Sequence, residues 1–374
     1  MTLLIKSDVT STRNLGSSNG LKGPQDWTLY LDFESAEFLE RVNGAIQPVP
    51  ETTIMANSRS TVGSPKTMDR NGVMTNAPQN TVRYWKTKTG RYGILSEDAR
   101  TNYFLNSATP ATQNISLPAS VSAIVVSCIG TGSVTVTGTN LNETDNTVTA
   151  NNPKAFTLKS QVAHDITVTV SGTLSHVQVE LAGGFTSASS PITTTTASVS
   201  RGRDNVSLNN NILARNLGVN NAITIVAQII PYDLLTMDSA KGEAQISLHS
   251  TTTNEILISS LRRPTNDTQQ AQGTYTLNGV VTTNRVSTDI PPKQKWGNVT
   301  ALRLSSLQFT TATNGALTNQ IAASGSYVPN VLYIGQGHAS PIARPGTHGI
   351  VTKLVIFNRA LSDAEIKEVT KSWN

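Results

Sequence analysis

Charge is scarce in this sequence. Asp, Glu, Lys and Arg make up 14% of its 374 residues, against roughly 25% in ordinary soluble proteins. Thr, Ser, Asn and Gly take their place, and these residues favour strands, turns and loops over helices. Cysteine is nearly absent. The single Cys128 has no partner for an intrachain disulfide, so folding does not depend on an oxidising compartment. It lies in the apolar run 123–129 and reads as a small buried hydrophobe. Long apolar runs are missing. No stretch approaches the roughly 20 residues of a membrane helix, so no membrane insertion is expected. Residues 1–6 lack the basic start and apolar centre of a signal peptide. No coil-length or heptad repeat is present, which excludes β-helix and coiled-coil architectures.

The chemistry-bearing patterns are equally thin. The five histidines, His164, His176, His249, His338 and His348, form no metal-binding frame with one another or with Cys128. There is no G-x-S-x-G elbow, phosphate loop or dinucleotide fingerprint. Glycoside hydrolysis needs two facing carboxylates. The only closely spaced strand pair, Asp32 and Glu34, reads as ordinary polar positions outside the main sandwich. The oxygen-rich stretch Asn140–Asn146 and the pair Asp233 and Asp238 read as loops rather than calcium sites. No catalytic residue, metal or cofactor is therefore expected. The formal charge is +5 and the pI near 9.3, but Lys and Arg are spread singly, so no nucleic-acid partner is expected.

What is present is a chain of β signals. Residues 27–33 alternate apolar and polar, and Ser35–Arg41 reads as a short helical turn. Residues 43–82, rich in Pro, Thr, Asn and Gly, read as loop with short strands laid against another surface. Residues 115–181 hold several β-branched runs punctuated by Gly130, Gly132, Gly138 and Gly172. The Ser/Thr tract 186–200 reads as a linker or edge. From about residue 203 a second set of strands begins, with Asn278-Gly279 as a hairpin turn between 275–277 and 280–282. Ser362 and Glu365 form a capping box for a short C-terminal helix. The expected fold is all-β. An N-terminal extended arm spans 1–82, a small β-sandwich module 83–202 and a jelly-roll sandwich 203–374.

Three segments carry a family resemblance. Residues 90–107, with Gly93, Leu95, Glu97, Ala99-Arg100-Thr101-Asn102 and Asn106-Ser107, resemble a signature of structural proteins of tailed bacteriophages. Asp69–Val73 and Val82-Arg83-Tyr84 look like its usual lead-in. Val177-Gln178-Val179-Glu180, followed by Thr186-Ser187 and Ile192, resembles the segment that closes the same module. Tyr333-Ile334-Gly335 and Phe357–Ile366 resemble the end of a laminin-G or concanavalin-like jelly roll. The resemblance implies a non-enzymatic virion protein, located on the particle and assembled in the host cytoplasm. It implies a tail fibre, spike or similar appendage, docked to other virion proteins through the arm and built as a homotrimer. Its lectin-like domain would adhere to a bacterial surface glycan. A purely architectural head, collar or baseplate protein is the alternative, and a glycan-cleaving virion enzyme a third reading. The candidate ligand-binding residues are His338, Arg344 and His348 in the Gly- and Pro-rich segment 335–349, with Trp296 or Tyr327 as the aromatic platform.

Overall fold

The computed structural model describes residues 23–58, 65–118, 121–150, 152–159, 164–182, 187–231, 243–251, 255–265, 268–277, 280–288, 298–306, 308–323, 327–335 and 348–371. The described chain is all-β, with short helices only, and consists of a two-sheet sandwich and a smaller β module.

The first sheet runs in the order Ala316–Leu317, Gln308–Thr313, Asn298–Ser305, Ile223–Pro231, Gly349–Phe357, Leu29–Asp32, Glu37–Val42 and Ala45–Pro48. Strand Tyr92–Ser96 also pairs with Gly349–Phe357, and Tyr84–Lys86 pairs with Tyr92–Ser96. The second sheet runs Val280–Thr288, Thr268–Leu277, Glu255–Thr265, Glu243–Ser250, Val331–Ile334, Asn205–Leu208 and Met55–Ser58. Their facing sides form one core, with Leu29, Leu31, Ile225, Leu302, Leu354 and Ile356 on the first sheet and Leu208, Ile246, Leu248, Leu257 and Leu332 on the second.

The first sheet is buried on both faces. Helix Asp363–Lys371 lays Ile366 and Val369 over Tyr30, Val226, Val355 and Phe357. That double burial explains why residues 223–230 are apolar at all positions but Thr224 and Gln228, without strict alternation. The helix begins as the sequence indicates. Glu365 N donates to Ser362 Oγ at 3.3 Å and Ser362 N to Glu365 Oε2 at 2.7 Å. The Asn278-Gly279 dipeptide lies outside the described residues, but its flanking strands pair with Leu277 opposite Val280, as a two-residue hairpin requires.

The N-terminal arm needs correction. Leu29–Asp32 is an interior strand, antiparallel to Gly349–Phe357 on one side and Glu37–Val42 on the other. Met55–Ser58 forms the edge of the second sheet. The sandwich thus takes strands from both ends of the chain, and residues 29–58 are part of it rather than an appendage. Residues 1–22 of the expected arm lie outside the described residues. Ser35–Arg41 is not helical: Glu37–Val42 alternates buried and part-buried positions as a strand.

The module lies between those two contributions. Its spine is the long antiparallel pair Ala123–Thr137 and His164–Leu181. Both strands bend at glycines. Gly132 has φ +152° and a Cβ there would sit 2.2 Å from Ser171 O, so only glycine permits the crossing. The halves on either side of the bend share one core, in which Ile124, Val126 and Cys128 meet Val134, Val136 and Phe156.

Candidate functional site

Three places bear on function: the proposed ligand residues, a buried polar cluster, and the outer face of the second sheet.

Tyr327 does not serve as an exposed platform. Its ring is buried in the sandwich core and its hydroxyl donates to Leu248 O at 2.7 Å. Burial also holds that hydroxyl protonated, well above its ordinary pKa. His348 is not on a surface loop either. It is 2% exposed, and its Nε2 lies 3.1 Å from Ala188 O. A carbonyl only accepts, so the ring donates from Nε2. Both corrections have one cause: each polar tip found a backbone carbonyl far away in sequence, which made burial tolerable. Trp296, His338 and Arg344, together with Asp233 and Asp238, lie outside the described residues. Strands Asn298–Ser305 and Gly349–Phe357 begin near the same end of Ile223–Pro231, because Ile229 pairs with Asn298 and Pro231 with Gly349.

The buried cluster joins the two signature segments. Arg83 is fully enclosed and uses every donor it has. Nε and Nη2 bind Asp204, Nη2 binds Glu97 Oε2 at 2.7 Å, and Nη1 binds Ser190 Oγ at 2.8 Å and Lys66 O at 3.0 Å. Glu97 also accepts from Ser190 N at 2.6 Å and pairs with Arg201 at 2.9 Å. Arg201 donates to Asp98 O, and Arg203 pairs with Asp98. Burial opposes the Glu97 charge, but Arg201 and Arg83 outweigh it and hold the carboxyl well below the usual range. Beside it, Arg100 donates to Leu181 O and Ala182 O, each at 2.6 Å. Glu180 accepts from Ser189 N and Ser189 Oγ, and burial raises its pKa against the pull of Arg100. Gln178 accepts from Ile192 N at 2.7 Å, and Asn102 donates to Ile192 O at 2.8 Å.

Glu97 takes its partners from outside the signature. One expectation changes here. The Ser/Thr tract is not a free linker. Residues 187–195 form a strap whose Ser187, Ser189, Ser190 and Thr194 are buried. Side chains of both signatures and of the sandwich read its backbone. This arrangement is a joint. Its carboxylates are buried and face guanidinium groups.

The acids of the oxygen-rich loop find partners within the module. Glu143 accepts from Thr157 N at 2.8 Å and Asp145 pairs with Lys154 at 2.9 Å. Among the described residues no group of three or more His, Cys, Asp and Glu is disposed to hold a metal. None of the described helices is long and apolar enough to cross a membrane.

The outer face of the second sheet is a different environment. The register with Ser247 opposite Tyr333 and Ile258 sets Gln245, Ser247 and His249 beside Ile256, Ile258 and Ser260. Gln272, Thr274 and Thr276 continue the face on the next strand. None of these side chains is a carboxylate, lysine or arginine. His249 Nε2 meets Ser247 Oγ at 3.2 Å, Gln272 Nε2 donates to Thr274 Oγ1 at 3.0 Å, and the His249 and Tyr333 rings pack edge-on at 4.9 Å. Gln245 Oε1 and Thr276 Oγ1 are buried with no hydrogen-bond partner among the described residues. Tyr333 and Val331 are the partly exposed members of the face. Strand alternation gave no sign of it, because serine and threonine occur throughout the chain.

No protein-family model matches the chain, and no curated protein matches it. Solved structures similar to it include the CBM40 domain of the Ruminococcus gnavus IT-sialidase bound to α2,6-sialyllactose. That likeness has 15% identity over 40% of this chain and 82% of the other, with a TM-score of 0.30. Domain 4 of AbnA, a GH43 extracellular arabinanase from Geobacillus stearothermophilus, in complex with arabinotriose, is similar at 12% identity over 45% and 73%, TM-score 0.29. A heptameric SAP-like pentraxin from Limulus polyphemus matches at 12% over 40% and 69%, TM-score 0.28. Likenesses this distant add nothing to the strand pairing. The chain is an all-β sandwich on its own register.

Proposed function

We propose that the protein is a non-enzymatic structural component of a bacteriophage particle whose β domains project and adhere to a host-surface glycan. The observation that carries this reading is the joint. The two segments that resemble the phage module signature, some 80 residues apart in sequence, close on one strap through Glu97, Asn102, Gln178 and Glu180. The adhesive role draws on a partly exposed member of the second sheet's outer face, Tyr333, whose ring packs on His249 and whose aromatic edge and hydroxyl suit a hydroxyl-rich sugar. Tyr333 is where a sugar ring reaches that face. Weak contacts repeated over the copies on one particle give avidity in place of single-site affinity. A homotrimeric tail fibre or spike, docked to other virion proteins through residues 1–22, is the form we favour.

Two measurements test the reading. Peptides of this chain should co-sediment with purified particles through a density gradient; their absence from particles overturns the virion assignment. Full-length protein should bind host cells saturably, and Tyr333→Ala should weaken binding at least tenfold without shifting the melting temperature. Saturable binding indifferent to Tyr333 rejects the site, and no binding by folded, assembled protein leaves the architectural role.

A further inference from the structure

The joint contains two histidines that neither the scaffold nor the adhesive face uses. His348 opens the central strand Gly349–Phe357 of the first sheet and donates to Ala188 O on the strap. Its ring faces Glu97, Arg100 and Arg201, within the cluster that also holds Arg83, Asp98, Glu180, Asp204 and, at its margin, Arg203. His176 lies on the module strand His164–Leu181, buried, with Nε2 3.4 Å from Gln178 Oε1 and with Lys66 of the neighbouring hairpin as the charge that opposes its protonation.

The charge count of the cluster is balanced. Arg83, Arg100, Arg201 and Arg203 face Glu97, Asp98, Glu180 and Asp204, four cations against four anions. A buried balance of this kind has no room for another cation, because water cannot screen it. A second proton on His348 adds that cation and takes nothing away. Glu180 works the other way: burial raises its pKa in the closed joint, so the closed state takes that proton more readily and offsets part of the His348 effect.

We propose that this joint is an acid-sensitive latch, holding the module against the sandwich while His348 is neutral and loosening when its imidazole is protonated. The released element is the strap 187–195, which is held by Gln178 and Glu180 on the module and by His348 at the head of the sandwich strand. The sandwich core carries no titrating member of this cluster, so it outlasts the latch.

Burial lowers the His348 pKa from its ordinary 6.5 to about 4, with Glu97 opposing the fall. A group depressed in the closed state favours opening as pH drops, because the open state binds the proton more readily. The effect begins below about 6.5, adds one proton per opening, and is complete at about 4. Each pH unit in that window then raises the opening constant about tenfold per histidine released.

Amide hydrogen exchange on the full chain, corrected for intrinsic rates and followed from pH 7 to pH 4, reads this directly. Below about pH 6.5, protection at Ser190, Ile192 and Thr194 should fall by up to about tenfold per pH unit, while Ile225 and Val226 in the sandwich stay protected. In His348→Gln, whose amide still donates to Ala188 O, the slope should drop by one proton per opening. An unchanged slope in that variant overturns the proposal. Should the variant fail to fold, the wild-type series decides: simultaneous loss at the strap and at Ile225 and Val226 is global unfolding and overturns it equally.

Discussion

Glu97 is the residue on which most of the joint depends. Substitution by Gln keeps its shape but leaves Arg83 and Arg201 facing one buried carboxylate fewer. Breaking one side of a buried ion pair costs about 3–5 kcal/mol, and urea unfolding of Glu97→Gln should show a loss of that size. Gly132→Ala places a Cβ 2.2 Å from Ser171 O at a φ of +152°. It should cost about 1–3 kcal/mol, with the destabilisation seen in module resonances first. His176 sets a pH dependence of its own. Burial lowers its pKa to about 4, so its contribution to stability is complete above about 6.5 and lost progressively between there and about 4. His176→Gln should flatten that part of the stability profile. At this scale the sequence was legible where a residue answered to its neighbours. Cys128 is buried as its apolar run indicates, and Ser362 and Glu365 cap their helix. Tyr327 and His348 were not legible, because their partners Leu248 and Ala188 lie 79 and 160 residues away.

Among the elements, the C-terminal helix matters more than its nine residues suggest. It is the cover for Val226, Val355 and Phe357 on the first sheet. Ser362→Ala removes one half of the capping box and should cost about 1 kcal/mol, measured as a fall in melting temperature with faster exchange in the first helical turn. Strands were read well wherever alternation or continuous apolar character was strong, as in 27–33, 223–230 and 351–357. The segment 35–41 was misread because Ser at a cap position and a spacing of apolar residues fit a turn as well as a strand. Its pairing with both Leu29–Asp32 and Ala45–Pro48 decided the matter, and such pairing is a tertiary fact. The strap was misread for a related reason. Serine and threonine mark linkers when solvated, and mark buried hydrogen-bonding ribbons when side chains such as Gln178 and Glu180 are present to satisfy them.

At the scale of the whole molecule, the sandwich closes only when both ends of the chain meet. Residues 203–374 alone lack Leu29–Asp32, Met55–Ser58 and Tyr92–Ser96, which leaves Gly349–Phe357 unpaired along one side and Asn205–Leu208 as a bare edge. A fragment from residue 203 onward should therefore aggregate or show no cooperative transition, whereas the chain from residue 23 should unfold cooperatively. Composition announced the all-β class, but the order in which distant strands enter a sheet has no local signature, so the boundary at 203 did not follow the physical body. The central claim is that this assembly adheres to a glycan without cleaving it. Its most direct test is to incubate the full-length protein with surface polysaccharide extracted from the host, and to measure bound protein and released reducing ends in the same tube. The account predicts saturable binding that strengthens with the number of copies presented together, and no release of product. Release of reducing ends, or no binding by protein shown to be folded, would contradict it.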